Sequence, residues 1–328
     1  MKILVTGGAG YIGGTLTRLL LSQGHAVTVY DNLCHSKRLA VADKAEFIAG
    51  DLADRPLLEK TLSQGRFDGV MHFAALIEAG ESMKHPEIYF RNNTAASLTL
   101  LEAMLATGHD RLVFSSTAAC YGEPESTPIL EDAKLQPTNP YGESKLMVEH
   151  MLRWMNLSHG LRYASLRYFN VAGAIEGYGE AHEPESHLIP LILDVALGRR
   201  ANIKIFGRDY PTKDGTCVRD YIHVRDLADA HLLALAALND TRSRLIYNIG
   251  NGQGFTVFEV IESVRRVTGR PIAIEECARR PGDPAVLVAS SEKIKRELGW
   301  KPQFAELDEI IASAWKWHQQ RYAKEIEI

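Results

Sequence analysis

The segment from Pro140 to Lys145 places a tyrosine and a lysine four residues apart, and such a pair can act as a base. A free tyrosine has a pKa near ~10, so its phenolate is scarce at neutral pH. On a helix, Lys145 would lie one turn beyond Tyr141, where its positive charge would favour the phenolate. Chance alone gives about half such a match in a chain of this composition, so the other residues must decide what the pair does.

The elements around this pair predict a parallel sheet with helices between its strands. Apolar residues at helical spacing predict a helix from Tyr141 to Trp154, after a proline-containing loop. The predicted strands are Ile3–Val5, Ala26–Tyr30, Glu46–Asp51, Gly69–Ala75 and Arg111–Thr117. Strands that alternate with helices are typical of an α/β fold with a doubly wound parallel sheet, in which ligands bind at the carboxyl ends of the strands.

A glycine-rich loop follows the first predicted strand. Gly7, Gly10 and Gly13 precede a predicted helix from Thr15 to Leu21. Glycines at these positions let the backbone approach a pyrophosphate, and the helix N-terminus attracts its negative charge. The overlapping spacing Gly8-x-Gly10-x-x-Gly13 is the dinucleotide fingerprint. The segment therefore predicts a Rossmann-type dinucleotide site.

Residues at the ends of other strands extend this predicted site. Asp31 ends the second strand, where a carboxylate accepts hydrogen bonds from a ribose 2′-hydroxyl and repels a 2′-phosphate. It therefore favours NAD over NADP, although Lys37 and Arg38 lie nearby. Asp51 is suited to the adenine edge. Small residues after the fourth strand would let the cofactor approach.

Thr117 ends the fifth predicted strand, so its hydroxyl belongs at the same edge of the sheet. Such a hydroxyl could also serve only as a helix cap or turn residue. Because Tyr141 and Lys145 are predicted nearby, we interpret Thr117 as the third catalytic residue.

Composition and charge argue against several other classes of protein. A net charge of -4 and a pI near 6.3 do not support nucleic-acid binding. No apolar run reaches the roughly 18 residues of a membrane span, and the N-terminus lacks the pattern of a signal peptide. The four widely spaced cysteines, Cys34, Cys120, Cys217 and Cys277, predict reduced thiols in a cytoplasmic protein, with no metal site.

Together these residues resemble the extended branch of the short-chain dehydrogenase/reductase family, and within it the UDP-glucose 4-epimerases. The resemblance covers nearly the whole chain. Beyond the predicted cofactor half it rests on four segments: Leu166–Asn170, Ile205–Thr216, Val218–Val224 and Arg279–Asp283. The stretch from Asp209 to His223 is the most specific of these, because many relatives share the remaining motifs.

The resemblance implies roles for individual residues. The implied NAD contacts are Gly7, Gly10, Tyr11, Ile12, Gly13, Asp31, Asn32, Asp51, Leu52, Phe73, Ala74, Ala75, Asn92, Lys145 and Phe169. The implied nucleotide-sugar contacts are Thr117, Tyr141, Asn170, His187, Leu188, Phe206, Arg219, Arg280, Asp283 and Leu287. Arginines suit a diphosphate through charge and a planar donor fork, with surface salt bridges as the alternative reading.

Three positions depart from the family pattern. Ile77 stands where a lysine is frequent, which puts one ribose contact in doubt. His187 stands where an asparagine is frequent in the sugar pocket. Leu287, at a position that gates the pocket, is intermediate in size, so acceptance of N-acetylated sugars stays open.

The implied function is reversible C4 epimerisation of UDP-glucose and UDP-galactose through a transient 4-keto sugar, with tightly bound NAD. A 4-epimerase of UDP-N-acetylhexosamines or UDP-pentoses is the main alternative. A 4,6-dehydratase usually has an Asp-Glu pair after the site threonine, whereas Thr117 is followed by Ala118 and Ala119. A conventional NAD(P)-dependent reductase and a non-catalytic dinucleotide sensor are further alternatives. The resemblance also implies a homodimer.

The resemblance further predicts two interleaved domains. Residues 1–168, with about 219–247, would bind NAD, and residues 169–218 and 248–328 would form a smaller α/β substrate domain. Within this division we predict a helix from Asp220 to Leu238, a turn from Gly250 to Gly254, and a terminal helix around Trp315–Trp317 that packs on the substrate domain.

Overall fold

The computed structural model describes residues 1–239, 244–280 and 283–326. The strands are β1 (Lys2–Thr6), β2 (Ala26–Asp31), β3 (Glu46–Ala49), β4 (Gly69–His72), β5 (Arg111–Thr117), β6 (Arg162–Tyr168), β7 (Asn170–Ala172), β8 (Ala174–Ile175), β9 (Tyr178–Gly179), β10 (Ile203–Phe206), β11 (Val218–His223), β12 (Arg244–Ile249), β13 (Gly254–Thr256), β14 (Ile274–Cys277) and β15 (Val286–Leu287). The helices are α1 (Tyr11–Ser22), α2 (Arg55–Gly65), α3 (Ala79–Ser82), α4 (Pro86–Tyr89), α5 (Ala96–Ala106), α6 (Pro140–His159), α7 (Leu188–Ala196), α8 (Val224–Asn239), α9 (Val257–Thr268), α10 (Glu292–Leu298) and α11 (Leu307–Ile326). Among these described helices, none is both long and apolar enough to cross a membrane.

Seven parallel strands form the central sheet, in the order β3-β2-β1-β4-β5-β6-β12. The strand order reverses between β1 and β4, because the chain first moves outward to β3 and then returns to the other side of β1. The predicted doubly wound parallel sheet is confirmed. A ligand crevice is expected at the carboxyl ends of the strands beside this reversal.

Helices cover both faces of the sheet, which explains why its strands read as continuous apolar runs. Val5 packs on one face with Leu16 of α1 and Leu227 of α8. Leu4, the neighbouring residue of the same strand, packs on the opposite face with Leu58 of α2 and Leu100 of α5. Burial of successive side chains on opposite faces fixes the register of β1.

A second core lies outside the large sheet. It contains Ile192 of α7, Ile205 of β10, Val260 of α9 and Ile310 of α11. Small sheets accompany these helices: β10 pairs with β14, and β11 lies among β7, β13 and β15. This arrangement is the smaller, interleaved α/β unit that the sequence predicted. The predicted terminal helix is α11, and its Trp315 packs against this second core.

The predicted helix from Asp220 to Leu238 is wrong at its beginning. Residues Val218–His223 form β11, and the helix starts only at Val224. Asp220 turns inward from β11 and accepts hydrogen bonds from the main-chain N–H groups of Asn251 (2.8 Å) and Gly252 (3.0 Å). These bonds fix the predicted turn that follows β12. A helix would have separated the carboxylate from this turn.

The predicted domain boundaries stay a proposal. Ile294 of α10 and Trp300, two residues after this helix, pack in the core that α1 and α8 form against the large sheet. Both residues fall within the range that the sequence assigned to the substrate domain. The short α10 segment therefore differs in packing from the rest of residues 248–328.

Candidate active site

A cleft of about 1760 Å³ lies at the carboxyl ends of β1, β2, β4 and β5 and continues to the second core. It is lined by every site residue that the sequence singled out except Phe206. The glycine-rich loop and the Tyr141–Lys145 segment therefore share one cleft with Arg219 and Arg280. Phe206 lies behind this wall, where its ring stacks against the Arg280 guanidinium at 3.8 Å.

The glycine-rich loop is tightly packed against the end of β4. Gly7 has a φ of +73°, and a Cβ at this position would lie 2.5 Å from the main-chain nitrogen of Ala74. A Cβ on Gly13 would lie 2.4 Å from the carbonyl oxygen of Gly7. Gly10, which lines the cleft, precedes α1 and contributes no side-chain cap, so the amino end of the helix is available to an anion. This cradle fits a dinucleotide pyrophosphate.

Asp31 is held rigidly beside the loop. Its two carboxylate oxygens accept hydrogen bonds from the main-chain N–H groups of Ala9 (3.0 Å) and Leu33 (2.8 Å). The two nearby cations have other partners: Lys37 lies 3.9 Å from a Glu183 oxygen, and Arg38 stacks 4.6 Å from the Phe47 ring. These contacts strengthen the preference for NAD that Asp31 implies.

The adenine end of the predicted site is also preorganised. Asn32 donates a hydrogen bond of 2.8 Å to Asp51 Oδ2, while Asp51 Oδ1 accepts one of 2.8 Å from the N–H of Ala53. The two polar side chains therefore have fixed orientations at the ends of β2 and β3. Leu52 lines the cleft between them.

The start of α6 brings Tyr141 close to Thr117. Asn139 caps the helix by accepting a 2.9 Å hydrogen bond from the N–H of Gly142. A Cβ on Gly142 would lie 2.6 Å from the carbonyl oxygen of Ala119, so the helix packs directly against the turn after β5. The Thr117 hydroxyl and the Tyr141 phenol both line the cleft, close enough for Thr117 to affect the pKa of Tyr141.

Burial raises the pKa of Tyr141 well above its ordinary value, and the nearby Tyr168 raises it further. The Thr117 hydroxyl acts in the opposite direction and lowers the pKa. The protein's own residues therefore do not lower the Tyr141 pKa. Desolvation of a phenolate in an enclosed cleft outweighs the stabilisation that these residues supply.

Lys145 is buried one helical turn beyond Tyr141. Its ammonium donates a hydrogen bond of 3.0 Å to the carbonyl of Ser115 and lies 5.1 Å from the centre of the Phe114 ring. Burial lowers the pKa of Lys145 to about 8. The side chain therefore still carries a positive charge at neutral pH.

A buried network of hydrogen bonds holds the carboxyl end of β5 in place. Ser116 Oγ donates a 2.6 Å hydrogen bond to Glu149 Oε1, and Arg167 Nε donates one of 2.9 Å to the same oxygen. Arg167 also donates to the hydroxyl of Tyr121 at 3.0 Å. Beside this network, Ser115 and Tyr168 share a short hydrogen bond between hydroxyls. The sequence reasoning missed Glu149 because no motif contains it. It gave no role to Tyr168, which lies within the Leu166–Asn170 segment, because its partner Ser115 is 53 residues away in the sequence.

The far end of the cleft is lined by cationic side chains from the second unit. Arg219 on β11 forms an ion pair with Asp283, and its position in the strand register lies opposite Leu287 of β15. Arg280 reaches the same wall above Phe206. Pro281 and Gly282, which belong to the same sequence motif, lie outside the described residues. Asn170 and Leu188 line the cleft between this wall and Tyr141.

His187 lies immediately before α7 and carries a positive charge. Burial opposes its protonation, but a 2.8 Å contact from Nδ1 to Glu185 Oε1 and the charges of Glu180 and Glu78 outweigh this effect. The pKa of His187 is raised to about 9. This histidine is therefore a cation at the cleft rather than a neutral polar contact.

Several cleft residues escaped the sequence reasoning because they occupy a segment without regular periodicity. Tyr178 donates a hydrogen bond of 2.9 Å to the carbonyl of Gly10, and the Arg18 guanidinium stacks 3.7 Å from its ring. Glu180 and His182 continue the same wall. The density of charged residues between Glu176 and His187 is the only sequence signal for this segment.

Comparison with known proteins places the chain among enzymes of one family. The model of the NAD dependent epimerase/dehydratase family matches residues 3–250. A UDP-glucose 4-epimerase of Streptomyces lividans is 53% identical over 319 residues, which are 97% of this chain and 96% of the relative. A crystal structure of UDP-glucose 4-epimerase from Brucella ovis in complex with NAD is 43% identical, with a TM-score of 0.93 over 96% of this chain and 97% of that one.

A second solved structure carries a nucleotide-sugar. It is a UDP-glucose-4-epimerase from Stenotrophomonas maltophila with bound NAD and formylated UDP-arabinopyranose. It is 41% identical to this chain, covers 99% of both chains and has a TM-score of 0.95. The chain therefore belongs to the NAD-dependent epimerase/dehydratase family and, within it, to the UDP-glucose 4-epimerases.

Proposed function

We propose that the protein interconverts UDP-glucose and UDP-galactose by epimerisation at C4, through a transient 4-keto sugar and with a retained NAD. The observation that carries this proposal is the position of Tyr141. Its phenol lies beside Thr117, in the same cleft as the glycine-rich loop and the Arg219–Asp283 pair. An acid–base group, a dinucleotide cradle and a cationic wall are the three parts that this reaction requires.

The C4 position carries no acidic proton, so proton abstraction alone cannot invert it. Bound NAD would supply the hydride acceptor that oxidises C4 and the hydride donor that reduces it from the other face. Tyr141 would take the proton of the 4-hydroxyl during oxidation and return it during reduction. Thr117 would hold the hydroxyl of the sugar in line with this transfer.

Tyr141 needs additional positive charge to act at neutral pH. For this, the pKa of Tyr141 must fall by about 3 units from its ordinary value, which corresponds to roughly 4 kcal/mol. Burial raises this pKa instead. Lys145 supplies one cation on the same helix. We infer that the phenolate becomes accessible only when the cleft is loaded with its cationic cofactor, which confines proton transfer to the productive complex.

Arg219 and Arg280 would anchor the diphosphate, leaving the hexose free to turn over between its two faces. Guanidinium groups suit this role because they remain charged and donate two parallel hydrogen bonds. Phe206 would keep Arg280 in place by stacking beneath it. Asn170, His187 and Leu188 would line the space in which the sugar turns.

The substrate range is the open alternative within this proposal. Leu287 lies opposite Arg219 and lines the cleft as a partly buried side chain of intermediate size. The size of the side chain at this position would determine whether a larger UDP-N-acetylhexosamine or a smaller UDP-pentose is accepted. Replacing Leu287 with tyrosine should narrow the range, and replacing it with alanine should widen it.

The deciding experiment is incubation of the purified protein with UDP-glucose, UDP-N-acetylglucosamine and a UDP-pentose, without added NAD, with products identified by proton NMR. UDP-galactose as the fastest product supports the proposal. Faster turnover of an N-acetylated or pentose substrate would replace UDP-glucose as its substrate. Formation of a 4-keto-6-deoxy sugar, or dependence on added NADH, would instead indicate a dehydratase or a reductase.

We also propose a homodimer that forms through α6. Met147, Trp154 and Leu157 lie within one arc of this helix and are exposed, Trp154 to 61%. A two-fold axis would bury this face against its copy. Light scattering should report a dimer for the wild type and a monomer for Trp154→Glu, with Leu130→Glu, at another exposed apolar residue, as the matched control. A monomeric wild type would contradict the proposal.

A cytoplasmic location fits the same proposal. All four cysteines are free thiols, and Cys34 is exposed at the cleft. Free exposed thiols are typical of a reducing compartment.

A further inference from the structure

Residues 178–187, here called the strap, cross the mouth of the cleft from the second unit to the glycine-rich loop. The Tyr178 hydroxyl donates to the carbonyl of Gly10 at 2.9 Å, and a Cβ on Gly14 would lie 2.2 Å from this hydroxyl oxygen. On the other side, Trp317 Nε1 of α11 donates a hydrogen bond of 2.8 Å to the carbonyl of Glu180. The strap therefore covers the loop on which the cofactor would lie.

Glu78 connects the strap to the opposite wall of the cleft. It precedes α3, on the cofactor side, and its Oε2 accepts a 2.7 Å hydrogen bond from the Ser186 hydroxyl. Its Oε1 lies 3.3 Å from His182 Nε2, an ion-pair distance when the histidine is protonated. The backbone of Glu78 is itself fixed, because Tyr89 donates a 2.8 Å hydrogen bond to its carbonyl. One carboxylate thus contacts the strap at two points.

The charges around Glu78 alternate in sign. His182 and His187 of the strap each interact with Glu78 and with Glu180, and His187 also contacts Glu185. Around this cluster, His35 stacks on His182 with ring centres 5.8 Å apart, and the outer strap carboxylate Glu183 pairs with Lys37 and Arg321. On α3, Glu81 accepts a hydrogen bond from Tyr89, and Tyr11 of α1 faces Glu180.

Both strap histidines are protonated more readily than usual. The contact with Glu78 raises the pKa of His182, and the surrounding carboxylates raise that of His187 to about 9. Burial works against the ionisation of Glu78, yet the nearby His182 and the hydrogen bond from Ser186 lower its pKa. Protonation of His182 therefore adds an ion pair to the hydrogen bond that Ser186 donates to the Glu78 carboxylate.

We propose that Glu78 is a positioning residue that fastens the strap over the cleft and thereby sets the rate at which the dinucleotide leaves. The dinucleotide is the NAD of the proposed function, on which this inference rests. The contact joins the two sides of the cleft through Glu78, Ser186 and His182, and neither Tyr141 nor Thr117 takes part in it.

The pH dependence follows from the raised histidine pKa values. A raised value means that the stabilising contacts are complete below about pH 6.5 and are lost as pH rises through about 9 for His187. Above that pH, His187 no longer offsets the negative charges of Glu78 and Glu185. Release of the dinucleotide should therefore accelerate as pH rises through about 9.

The test measures the release of NADH from the full-length protein by loss of its enhanced fluorescence after dilution into excess NAD. Glu78→Gln should release NADH about tenfold faster at pH 7.5, because a charge-assisted bond is replaced by a neutral one. The same substitution should also reduce the increase in the NADH release rate at alkaline pH. Glu87→Gln removes an exposed carboxylate on α4 and should behave as the wild type.

A second variant separates positioning from loss of folding. Ser186→Ala removes one of the two strap partners of Glu78 and keeps His182, and it should also accelerate release. The double variant should be no faster than Glu78→Gln alone, since both changes break one contact. Hydrogen exchange within residues 178–187 should increase in both single variants. Unchanged release and unchanged exchange in Glu78→Gln would overturn the proposal.

Failure of the proposed function would look different. If NADH release depends on Glu78 but the protein does not epimerise UDP-glucose, the role of Glu78 is supported and the proposed substrate is wrong. If the protein epimerises UDP-glucose but releases NADH at the same rate with or without Glu78, the proposed function is supported and the role of Glu78 is wrong.

Discussion

The ammonium of Lys145 donates a hydrogen bond of 3.0 Å to the main-chain carbonyl of Ser115. This bond ties α6 to the last residues of β5, two positions before Thr117. Because Tyr141 lies one turn earlier on the same helix, the bond also fixes the distance between the phenol and the Thr117 hydroxyl. Lys145 therefore has a geometric function in addition to its charge.

Replacing Tyr141 with phenylalanine should lower kcat by about 10³-fold, since proton transfer by a positioned group contributes roughly 10²- to 10⁴-fold. The ring remains and the cleft keeps its shape, so bound NAD should be retained in the same molar ratio. Turnover can be followed with UDP-galactose, and bound NAD by absorbance after denaturation. Near-normal turnover would remove Tyr141 from the proposed mechanism.

Replacing Lys145 with methionine should lower kcat and shift the acid limb of the rate–pH profile to higher pH. The cation that favours the Tyr141 phenolate is then absent, and the phenol ionises only at higher pH. In the wild type, Lys145 should lose its charge above its pKa of about 8, so activity that depends on the cation should fall there. An unchanged rate–pH profile would mean that Lys145 acts only through its hydrogen bond to Ser115.

Replacing Arg219 with alanine should raise KM for UDP-glucose by roughly tenfold to a hundredfold, with a smaller effect on kcat. A lost charge-assisted contact costs about 1.5–3 kcal/mol, and a contact made equally by bound substrate and transition state appears in KM. Arg208→Ala is a suitable control, because Arg208 pairs with Glu276 outside the cleft. Equal effects of the two substitutions would argue against an anchoring role for Arg219.

Replacing Asp31 with alanine should weaken NADH binding by about tenfold and reduce discrimination against NADPH. The substitution removes both a ribose acceptor and the charge that repels a 2′-phosphate. Fluorescence titration with the two reduced cofactors measures the ratio. Since Asp31 also holds the Ala9 and Leu33 N–H groups, a thermal melt should accompany the titration. An unchanged ratio would show that another residue selects the cofactor.

Replacing Glu149 with alanine should destabilise the protein by about 3–5 kcal/mol. It leaves the Arg167 guanidinium buried without its carboxylate partner. Urea unfolding measures the change. Arg55→Ala breaks exposed ion pairs with Glu59 and Glu102, so it should cost at most about 1 kcal/mol. Equal costs for the two substitutions would contradict the role of burial.

The central sheet could be predicted because its strands are buried on both faces and its first turn must be glycine-rich. Strand β1 and helix α1 therefore carry strong local signals. Segment Asp220–His223 lacked such a signal, because its polar residues fit a helix as well as a strand. Only pairing with β7 and β13, which are distant in sequence, makes it a strand.

The candidate site was predictable where a single motif contains the chemistry. Tyr141, Lys145 and the glycine-rich loop belong to this class. Glu78 and Tyr178 could not be found in this way, because their roles depend on contacts more than a hundred residues away, with Ser186 and Gly10. The pKa of Tyr141 was also unpredictable, since burial determines its direction.

The chain crosses repeatedly between the large sheet and the second core. It leaves the sheet after β6, returns with α8 and β12, and leaves again at β13. No single continuous segment therefore contains the sugar-binding wall. Recombination between related genes cannot exchange that wall as one block without breaking strand pairs at several junctions. Diversification of substrate range in this architecture must then proceed mainly through substitutions of individual cleft residues such as Leu287.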